Sequence, residues 1–315
     1  MKILIIRLSS LGDIILTQPI AASLRQAYPN AQIDFITKPI FKPIVEKFGC
    51  IDNIIDWDES FSCLRNISKS KYDICIDLHA KFNTFLIKIF CHAKKTSTYN
   101  KKHKLRKAIV QHKTNAKISS TVDLYYSALE KIKIPYTAHK PQLKIPIQKK
   151  SSQITIGIFP GATYKTKQYP PQKLIELIQL FPKDWNVKLF GSPSEIKLSS
   201  EITNNCKRDI EDLTGKLNFD QLFYEVNNLD VVITNDSGPM HIAAALNKPQ
   251  IAIFGATDPV LGFAPMNSKA VIINQTLKCK PCSLHGSNSC PKEHFKCMLS
   301  HDNQQIYSNI QKLLH

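Results

Sequence analysis

Short apolar runs typical of β-strands alternate with helical patterns along most of this chain, and the alternation occurs twice. In the first half the predicted strands are Lys2–Arg7, Gln32–Thr37, Asn53–Asp56, Asp73–Asp77 and Thr96–Tyr99. The predicted helices lie near Asp13–Tyr28, Ile40–Phe48, Phe61–Ser68, Phe82–Cys91 and Ser119–Lys131. This rhythm favours a parallel sheet with helices on both faces.

The rhythm stops at Lys133–Lys150, which contains three prolines and many lysines without a helical period, and which we interpret as an interdomain linker. It restarts with predicted strands at Gln153–Phe159, Asn186–Phe190, Asp230–Thr234, Gln250–Phe254 and Ala270–Ile273. The predicted helices are Pro171–Phe181, Ser194–Asn205, Phe219–Asn227 and Pro239–Leu246. We therefore predict an α/β chain of two Rossmann-like, doubly wound domains, residues 1–150 (with the linker from about 133) and 151–300, whose sheets face a central cleft.

Length and composition agree with this prediction. A chain of 315 residues exceeds one ordinary core, and a hydrophobic content of 43% argues against disorder. No segment approaches the ~18 apolar residues that span a bilayer, and the first apolar run breaks at Arg7 without a cleavage site, so we expect a cytoplasmic protein. The net charge of +17 predicts an anionic partner: nucleic acid, a membrane surface or a phosphorylated substrate.

The segment Val231–Pro259 carries the strongest local signal. It contains a buried strand, then Ser237 and Gly238, then a helix that Ser237 can cap through its hydroxyl and that has Pro239 in its first turn. Free N–H groups and the dipole of such a helix N-terminus bind anions, so the pattern predicts a phosphate site. The alternative is a well-capped crossover helix that binds nothing.

Two further residues in this segment favour a ligand. Asp236 stands at the end of the strand, where side chains that face a ligand lie in open α/β sheets. His241 follows in the first turns of the helix, where it either donates a hydrogen bond to a diphosphate or has a structural role.

A second basic loop follows the strand at Gln153–Phe159. It contains a glycine, the hydroxyl of Thr163 and two lysines, Lys165 and Lys167, which either pair with phosphate or form a solvated loop. The loop lacks the register of a Walker A motif, and the chain contains no G-x-G-x-x-G, so a Rossmann dehydrogenase has no support.

The stretch RLSSLGDIILTQP, Arg7–Pro19, places one carboxylate, Asp13, just beyond the first strand. In a first helical turn this carboxylate is stabilised by the helix dipole, which is its simplest role. Pro19 either kinks the helix or marks a later start.

Four segments together, RLSSLGDIILTQP, DLHAKFN (Asp77–Asn83), FPGATYKTKQYP and NDSGPMHIAAALNKPQIAIFGATDP, resemble the ADP-heptose:lipopolysaccharide heptosyltransferases of glycosyltransferase family 9, in the family's order. The resemblance implies a GT-B fold and inverting, metal-independent transfer of heptose from ADP-heptose to the lipopolysaccharide inner core. It implies Asp13 as the catalytic base. It implies donor-nucleotide and phosphate contacts from Thr163, Lys167, Asp220, Asp236, Ser237, Gly238, Pro239, Met240 and His241.

The resemblance also implies an acceptor side on the first domain, with Ser10, Gly12, His79 and Lys81. Here Lys81 departs from the family pattern. The basic run Thr98–Lys107 is either a solvated loop or a surface that docks on lipid A phosphates and the anionic inner leaflet, where each basic residue contributes ~1 kcal/mol. The C-terminal helix, Asn303–Leu314 within residues 301–315, is expected to pack back on the first domain.

The cysteines divide into two groups. Five are scattered singly, as reduced cytosolic cysteines are. Cys279, Cys282, Cys290 and Cys297 resemble a four-thiolate site for structural zinc or iron, but the wide second spacing favours plain reduced or disulfide-forming cysteines.

Two other functions remain open from the sequence. One is a related GT-B enzyme that uses another nucleotide sugar or a protein acceptor. The other is a basic nucleic-acid-binding protein, which we disfavour because the lysines are not interleaved with aromatic residues on a known module.

Overall fold

The computed structural model describes residues 1–137, 139–146 and 153–315, and the chain divides into two compact units. The first unit comprises residues 1–102 and 120–144, and the second comprises residues 103–119 and 145–315. Residues 138 and 147–150 of the predicted linker lie outside the described residues. Its described part up to Lys144 belongs to the first unit, where the Gln142 N–H donates to Gln18 Oε1 over 3.0 Å.

The first unit is built on a parallel sheet. Its strands are β1 (Lys2–Ile6), β2 (Gln32–Thr37), β3 (Asn53–Asp56), β4 (Ile74–Asp77) and β5 (Lys95–Thr98). Within the described residues their order is β3-β2-β1-β4-β5, and every pairing is parallel. The order reverses between β1 and β4, and open α/β sheets bind ligands beyond the carboxyl ends of strands at such a point.

The helices of this unit lie near the predicted positions. They are α1 (Leu11–Ile15), α2 (Gln18–Ala27), α3 (Lys42–Glu46), α4 (Phe61–Lys69), α5 (Phe82–Cys91) and α7 (Thr121–Lys131), with a short 3-10 helix at Pro39–Phe41. Between α5 and α7 the chain forms α6 (His103–Val110), which the sequence did not predict and which belongs to the second unit. The single helix expected at Asp13–Tyr28 is two helices. Pro19 lies in the first turn of α2, so it marks a later start, where its missing N–H costs no hydrogen bond.

The second unit repeats the architecture with one more strand. Its strands are β6 (Thr155–Phe159), β7 (Asn186–Leu189), β8 (Glu211–Asp212), β9 (Val231–Asn235), β10 (Gln250–Phe254) and β11 (Ala270–Asn274). Among the described residues the order is β11-β10-β9-β6-β7-β8, again parallel throughout. The strand order reverses between β6 and β9, which places the second candidate crevice at their carboxyl ends.

The helices of this unit bury apolar stripes against the sheet. They are α8 (Pro171–Gln179), α9 (Ile196–Asn205), α10 (Phe219–Asn228), α11 (Gly238–Ala245), α12 (Lys296–Leu299) and α13 (Asn303–Leu314), with 3-10 helices at Lys165–Lys167, Pro193–Glu195 and Pro259–Leu261. Ile156, Ile158, Ile233 and Ile251 form the centre of the core and are almost fully buried.

The C-terminal helix α13 is where the sequence predicts it, and its apolar side chains pack in the second unit; its packing on the first domain stays a prediction. Ile306 and Ile310 of α13 are buried in the core cluster of the second unit, beside Tyr169 of the loop before α8. Tyr169 Oη donates to Asn303 Oδ1 over 2.7 Å, which fixes the start of the helix. The apolar stripe of α13 therefore completes the second unit.

The basic run Thr98–Lys107 is also different from the loop that its composition suggests. Its second half begins α6, and residues 103–119 belong to the second unit although they precede the predicted boundary at 150. The Arg106 guanidinium lies 4.8 Å from the Phe263 ring centroid, and Nη2 donates to the Leu261 carbonyl over 3.3 Å. These contacts hold the segment on the second unit.

None of the described helices combines the length and the apolar character that a membrane crossing requires.

Candidate functional site

Asp13 lies beyond the carboxyl end of β1, at the reversal point of the first sheet, and its carboxylate is held by side chains from three places. Arg7 Nη2 lies 2.6 Å from Oδ2, and Ser10 Oγ donates to the same oxygen over 2.9 Å. Tyr125 Oη, from α7, donates to Oδ1 over 3.2 Å. The side chain of Asp13 keeps 24% of its surface exposed, so the carboxylate is fixed in direction and still reaches solvent.

Arg7 anchors this arrangement. It follows β1 directly and is buried, with Nε donating to the Ser9 carbonyl over 2.6 Å and Nη1 to the Leu78 carbonyl over 2.5 Å. Burial works against the charge of the guanidinium, but the attraction of Asp13 together with that of Tyr125 and Tyr99 outweighs it, so the pKa of Arg7 is raised. Arg7 and Tyr125 were not predicted as site residues. For Arg7, a charged residue directly after four apolar ones indicated a functional side chain at the end of the strand.

Asp13 lies in the first turn of α1, where the helix dipole favours a carboxylate. Ser10 is the N-cap residue of this described helix, and its side chain makes no capping hydrogen bond. The hydroxyl of Ser10 is directed at Asp13 instead, and Gly12 is buried in the first turn between them. The structure thus places Ser10, Gly12 and Asp13 in one turn that orients the carboxylate.

His79 follows β4 on the other side of the reversal point. Burial, and then the charges of Arg7, Lys81 and Lys101, lower its pKa to about 3. Within the part of the chain that the structure describes, its buried Nδ1 has no hydrogen-bond partner. The side chain is therefore a neutral imidazole at physiological pH with one unused polar atom.

Two lysines near His79 give this edge a positive potential. Lys81 is the exposed N-cap residue of α5. Lys101 donates to the Ala80 carbonyl over 2.7 Å, and burial, followed by the charges of Arg7 and Lys81, lowers its pKa. The predicted role of Lys81 beside an anionic acceptor fits this cluster, to which the structure adds Lys101.

In the second unit, Lys167 and Asp236 form the centre of the candidate donor site. Lys167 Nζ lies 2.8 Å from Asp236 Oδ2, and the two side chains keep only 16% and 7% of their surface exposed. Thr257 Oγ1, from the loop after β10, donates to the same carboxylate oxygen over 2.6 Å. By contrast Lys165, the other lysine of this loop, is exposed. The structure therefore favours Lys167 over Lys165 as the phosphate-binding lysine, a choice that the sequence of the loop alone leaves open.

Asn235 holds the loop that carries these groups. Its Nδ2 donates to the carbonyls of Pro160 and Gly161 over 2.8 and 3.2 Å, and its Oδ1 accepts from the Tyr169 N–H over 3.0 Å. The side chain thus ties both ends of the loop after β6 to the end of β9. Thr163 lies exposed in that loop. Asn235 was not predicted as a site residue, although its position directly after the apolar run Val231–Thr234 indicated an amide at the end of a strand.

The helix N-terminus predicted to bind phosphate is α11. Ser237 is its N-cap residue, Gly238 begins the helix and Pro239 lies in its first turn. The predicted hydroxyl cap is absent from this described helix, because Ser237 Oγ is directed at the Asn235 carbonyl, 3.4 Å away. Without that cap, the N-terminal N–H groups and the helix dipole remain suited to an anionic ligand.

The remaining predicted donor residues fall in three different places. Met240 is fully buried in a cluster with Ala252 and Phe254, so its side chain belongs to the core and does not line a ligand site. His241 is buried in α11. Asp220 is exposed in the first turn of α10.

The clustered cysteines Cys279, Cys282, Cys290 and Cys297 lie near one another as free thiols. All nine cysteines of the sequence fall within the described residues, and each is a free thiol. Cys279 Sγ lies 3.8 Å from His294 Nε2, and burial raises the pKa of Cys282 to about 11. Among residues 1–137, 139–146 and 153–315, no group of three or more His, Cys, Asp or Glu side chains is placed to hold a metal ion.

Comparison with known proteins gives one consistent result. The model of the family described as glycosyltransferase family 9 (heptosyltransferase) matches residues 60–292. Lipooligosaccharide heptosyltransferase 2 of Campylobacter jejuni subsp. jejuni serotype O:2 is 25% identical over 329 residues, covering 100% of this chain and 98% of that protein. Lipopolysaccharide heptosyltransferase 2 of Escherichia coli K12 is 26% identical over 310 residues, covering 87% and 88%.

The solved structures give the fold. That of E. coli ADP-heptose lipopolysaccharide heptosyltransferase II superposes on the chain with a TM-score of 0.81 at 22% identity, covering 100% of this chain and 98% of the other. Together with the two parallel sheets, this likeness confirms the predicted GT-B fold.

Proposed function

Because the chain belongs to glycosyltransferase family 9, we propose that it transfers a heptose from ADP-L-glycero-D-manno-heptose to a Kdo or heptose residue of the lipopolysaccharide inner core, with inversion at the anomeric carbon. The observation that carries this proposal is Asp13, an oriented and partly exposed carboxylate at the reversal point of the first sheet. The names of the relatives, lipooligosaccharide and lipopolysaccharide heptosyltransferases, support the substrate class.

In the proposed reaction Asp13 is the general base. It accepts the proton of the acceptor hydroxyl while that oxygen attacks the anomeric carbon, and the bond from that carbon to ADP breaks on the opposite face. A positioned base of this kind contributes about 10²–10⁴-fold to the rate. Arg7, Ser10 and Tyr125 keep the carboxylate directed, so little reorganisation is needed when the acceptor arrives.

The second unit binds the donor in this proposal. Lys167 and the N-terminus of α11 supply positive charge for the diphosphate and for the ADP that leaves, without a metal ion. Thr163 adds a hydroxyl donor from the same loop, and Asp220 is the candidate for the ribose. In the structure Asp236 holds the Lys167 ammonium, so diphosphate binding would replace one oxygen partner of that ammonium by another.

The positive edge around His79 suits an anionic acceptor. Lys81 and Lys101 are placed to attract the carboxylates or phosphates of a Kdo–lipid A core, while neutral His79 offers a hydrogen bond. We also propose that the enzyme works at the cytoplasmic face of the inner membrane, with the basic run Thr98–Lys107 near the anionic leaflet.

A donor screen by thermal shift tests the nucleotide-sugar assignment. We expect ADP-heptose and ADP to raise the melting temperature of the protein, because a ligand that binds only the folded state stabilises it. UDP- and GDP-sugars at the same concentration are the matched controls. Stabilisation by UDP-sugars alone would reject ADP-heptose as donor and favour a family member with another nucleotide sugar.

A further inference from the structure

The outward face of α5 carries a row of apolar side chains that the core does not use. Phe82, Phe85 and Ile89 are 78%, 52% and 49% exposed, and their spacing of three and seven residues puts them on one side of the helix. The opposite side provides the buried contacts, through Ile87 and Cys91. The exposed row is therefore apolar surface beyond what folding requires.

Helix α4 extends this surface. Phe61, at its first residue, is 70% exposed, and its ring meets that of Phe90 edge to face, with centroids 6.0 Å apart. We call the exposed residues Phe61, Phe82, Phe85 and Ile89 the α4–α5 apolar face. Contiguous apolar patches of this kind on a folded protein mark interaction sites.

The charged residues of α4 and α5 are all basic. The sequences of α4 and α5 contain no Asp or Glu. Arg65 and Lys69 are exposed four and eight residues after Phe61, on the same side of α4, and exposed Lys81 precedes α5. The nearest acidic residues in the sequence, Asp58 and Glu59, lie in the loop before α4.

Aromatic side chains within a basic rim are complementary to the interface of an anionic bilayer. Rings bury themselves at the boundary between headgroups and acyl chains, and lysine and arginine pair with the lipid phosphates. A protein partner would more often find aromatic anchors in a pocket than on a convex helix face.

We propose that the α4–α5 apolar face inserts into the interface of an anionic membrane. Since α5 begins three residues after His79, this contact would hold the acceptor side of the first unit against the leaflet that carries a lipid-linked acceptor. That last step rests on the proposed function, whereas the insertion does not. The insertion is hydrophobic and uses other residues than the basic run Thr98–Lys107.

Vesicle co-sedimentation tests the insertion. The probe is vesicles of equal parts phosphatidylglycerol and phosphatidylethanolamine, with pure phosphatidylcholine for comparison. We expect the double variant Phe82→Ser, Phe85→Ser to bind the anionic vesicles about 100-fold more weakly, because each inserted phenylalanine ring contributes about tenfold or more. The matched control is Ile196→Ser, Tyr224→Ser, which removes two large side chains that are about half exposed from the second unit and should bind like the wild type.

A fluorescent reporter adds a direct measure of depth. The native tryptophans, Trp57 and Trp185, are buried, so their emission should not respond to lipid. In the variant Phe85→Trp, the emission of the introduced indole should shift to the blue on anionic vesicles and be quenched by brominated acyl chains. Unchanged vesicle binding by the double variant, or emission of the Phe85→Trp protein that does not respond to the vesicles, would overturn the proposal.

A second copy of the chain is the other occupant to be tested. Sedimentation velocity without lipid should give the same mass for the wild type and the double variant. A dimer that only the double variant loses would overturn membrane insertion and assign the face to self-association.

Activity separates this proposal from the proposed function. The double variant should transfer heptose normally to a water-soluble, deacylated core acceptor and poorly to the same core embedded in vesicles. If the wild type transfers to neither, the proposed function fails, while vesicle binding still decides the insertion. Equal loss on both acceptors would contradict the role of the face.

Discussion

Replacing Lys167 with methionine should destabilise the second unit and weaken donor binding at the same time. The substitution removes the ammonium but keeps an unbranched chain nearly as long, and it leaves Asp236 with a buried charge that still accepts from the Thr257 hydroxyl. Removing one partner of a buried pair costs about 3–5 kcal/mol, and we take the lower end because Thr257 still donates. For a unit of this size about 3 kcal/mol corresponds to a melting temperature lower by about 6–12 °C.

The effect on the donor comes from a different interaction. A hydrogen bond to a charged group contributes about 1.5–3 kcal/mol, so the loss of the ammonium should weaken ADP binding about 10- to 100-fold. Titration calorimetry with ADP measures this, and differential scanning calorimetry measures the stability. Lys165→Met is the matched control, because Lys165 lies exposed in the same loop and should change little in either assay.

The double variant Lys167→Met, Asp236→Asn separates the two effects. The neutral amide removes the uncompensated charge and can still accept the hydrogen bond of Thr257, so the melting temperature should largely recover. Affinity for ADP should not recover. The reasoning is refuted if Lys167→Met leaves both the melting temperature and ADP affinity unchanged, or if Lys165→Met matches it.

Three further substitutions test other parts of the sites. Asp13→Asn should lower kcat about 10²–10⁴-fold with unchanged ADP affinity, whereas Asp123→Asn, an exposed carboxylate of α7, should have no effect in the same transfer assay. Asn235→Ala should lower the free energy of unfolding by about 2–4 kcal/mol in urea titrations, since it leaves three buried backbone groups without partners, and Asn204→Ala on α9 is its exposed control. The His79 imidazole, followed by NMR, should titrate near pH 3. The unfolded chain takes up this proton near pH 6.5, so the free energy of unfolding should fall as the pH decreases from 6.5 towards 3 and should not depend on His79 above 6.5.

Each of these expectations has a clear opposite result. An Asp13→Asn enzyme with wild-type kcat would remove the base assignment. Equal stability of the two asparagine variants would mean that Asn235 does not hold the loop. A titration midpoint near 6.5 for His79 would mean that the imidazole is solvated, and His79→Gln would then leave the acid sensitivity of the protein unchanged.

Much of the fold was predictable because central strands such as β1, β9 and β10 are runs of mainly apolar residues. The bounds of β2, β3 and β10 agree with the prediction at both ends, as do those of α5 and α13. Fully buried parallel strands need such runs, and the turns between them carry the glycines and prolines that show their ends. Whether Pro19 kinks one helix or begins a second one could not be predicted, because a proline is compatible with both; the structure shows that it lies in the first turn of α2.

The parts that the sequence did not reveal depend on long-range contacts. Helix α6 was hidden because one of its inward side chains is Arg106, whose guanidinium packs on Phe263, and periodicity counts an arginine as polar. The burial of Ile306 and Ile310 in the second unit was likewise hidden, because their spacing on α13 shows an apolar stripe and not the surface that covers it.

For the sites, the sequence predicted the carboxylates and lysines that follow the strands, such as Asp13, Asp236 and Lys167. Their partners Arg7, Tyr125 and Thr257 were not predicted, because only the fold brings them within hydrogen-bond distance.

The most direct test of the account is transfer from ADP-heptose to defined truncated core acceptors, with products analysed by mass spectrometry and anomeric NMR. We predict that the wild-type enzyme adds one heptose, with an anomeric configuration opposite to that of the donor, and that Asp13→Asn adds almost none in the same time. A product that retains the donor configuration, or equal transfer by Asp13→Asn, would contradict a base-catalysed inversion at Asp13. Transfer from another nucleotide sugar but none from ADP-heptose would contradict the proposed function itself.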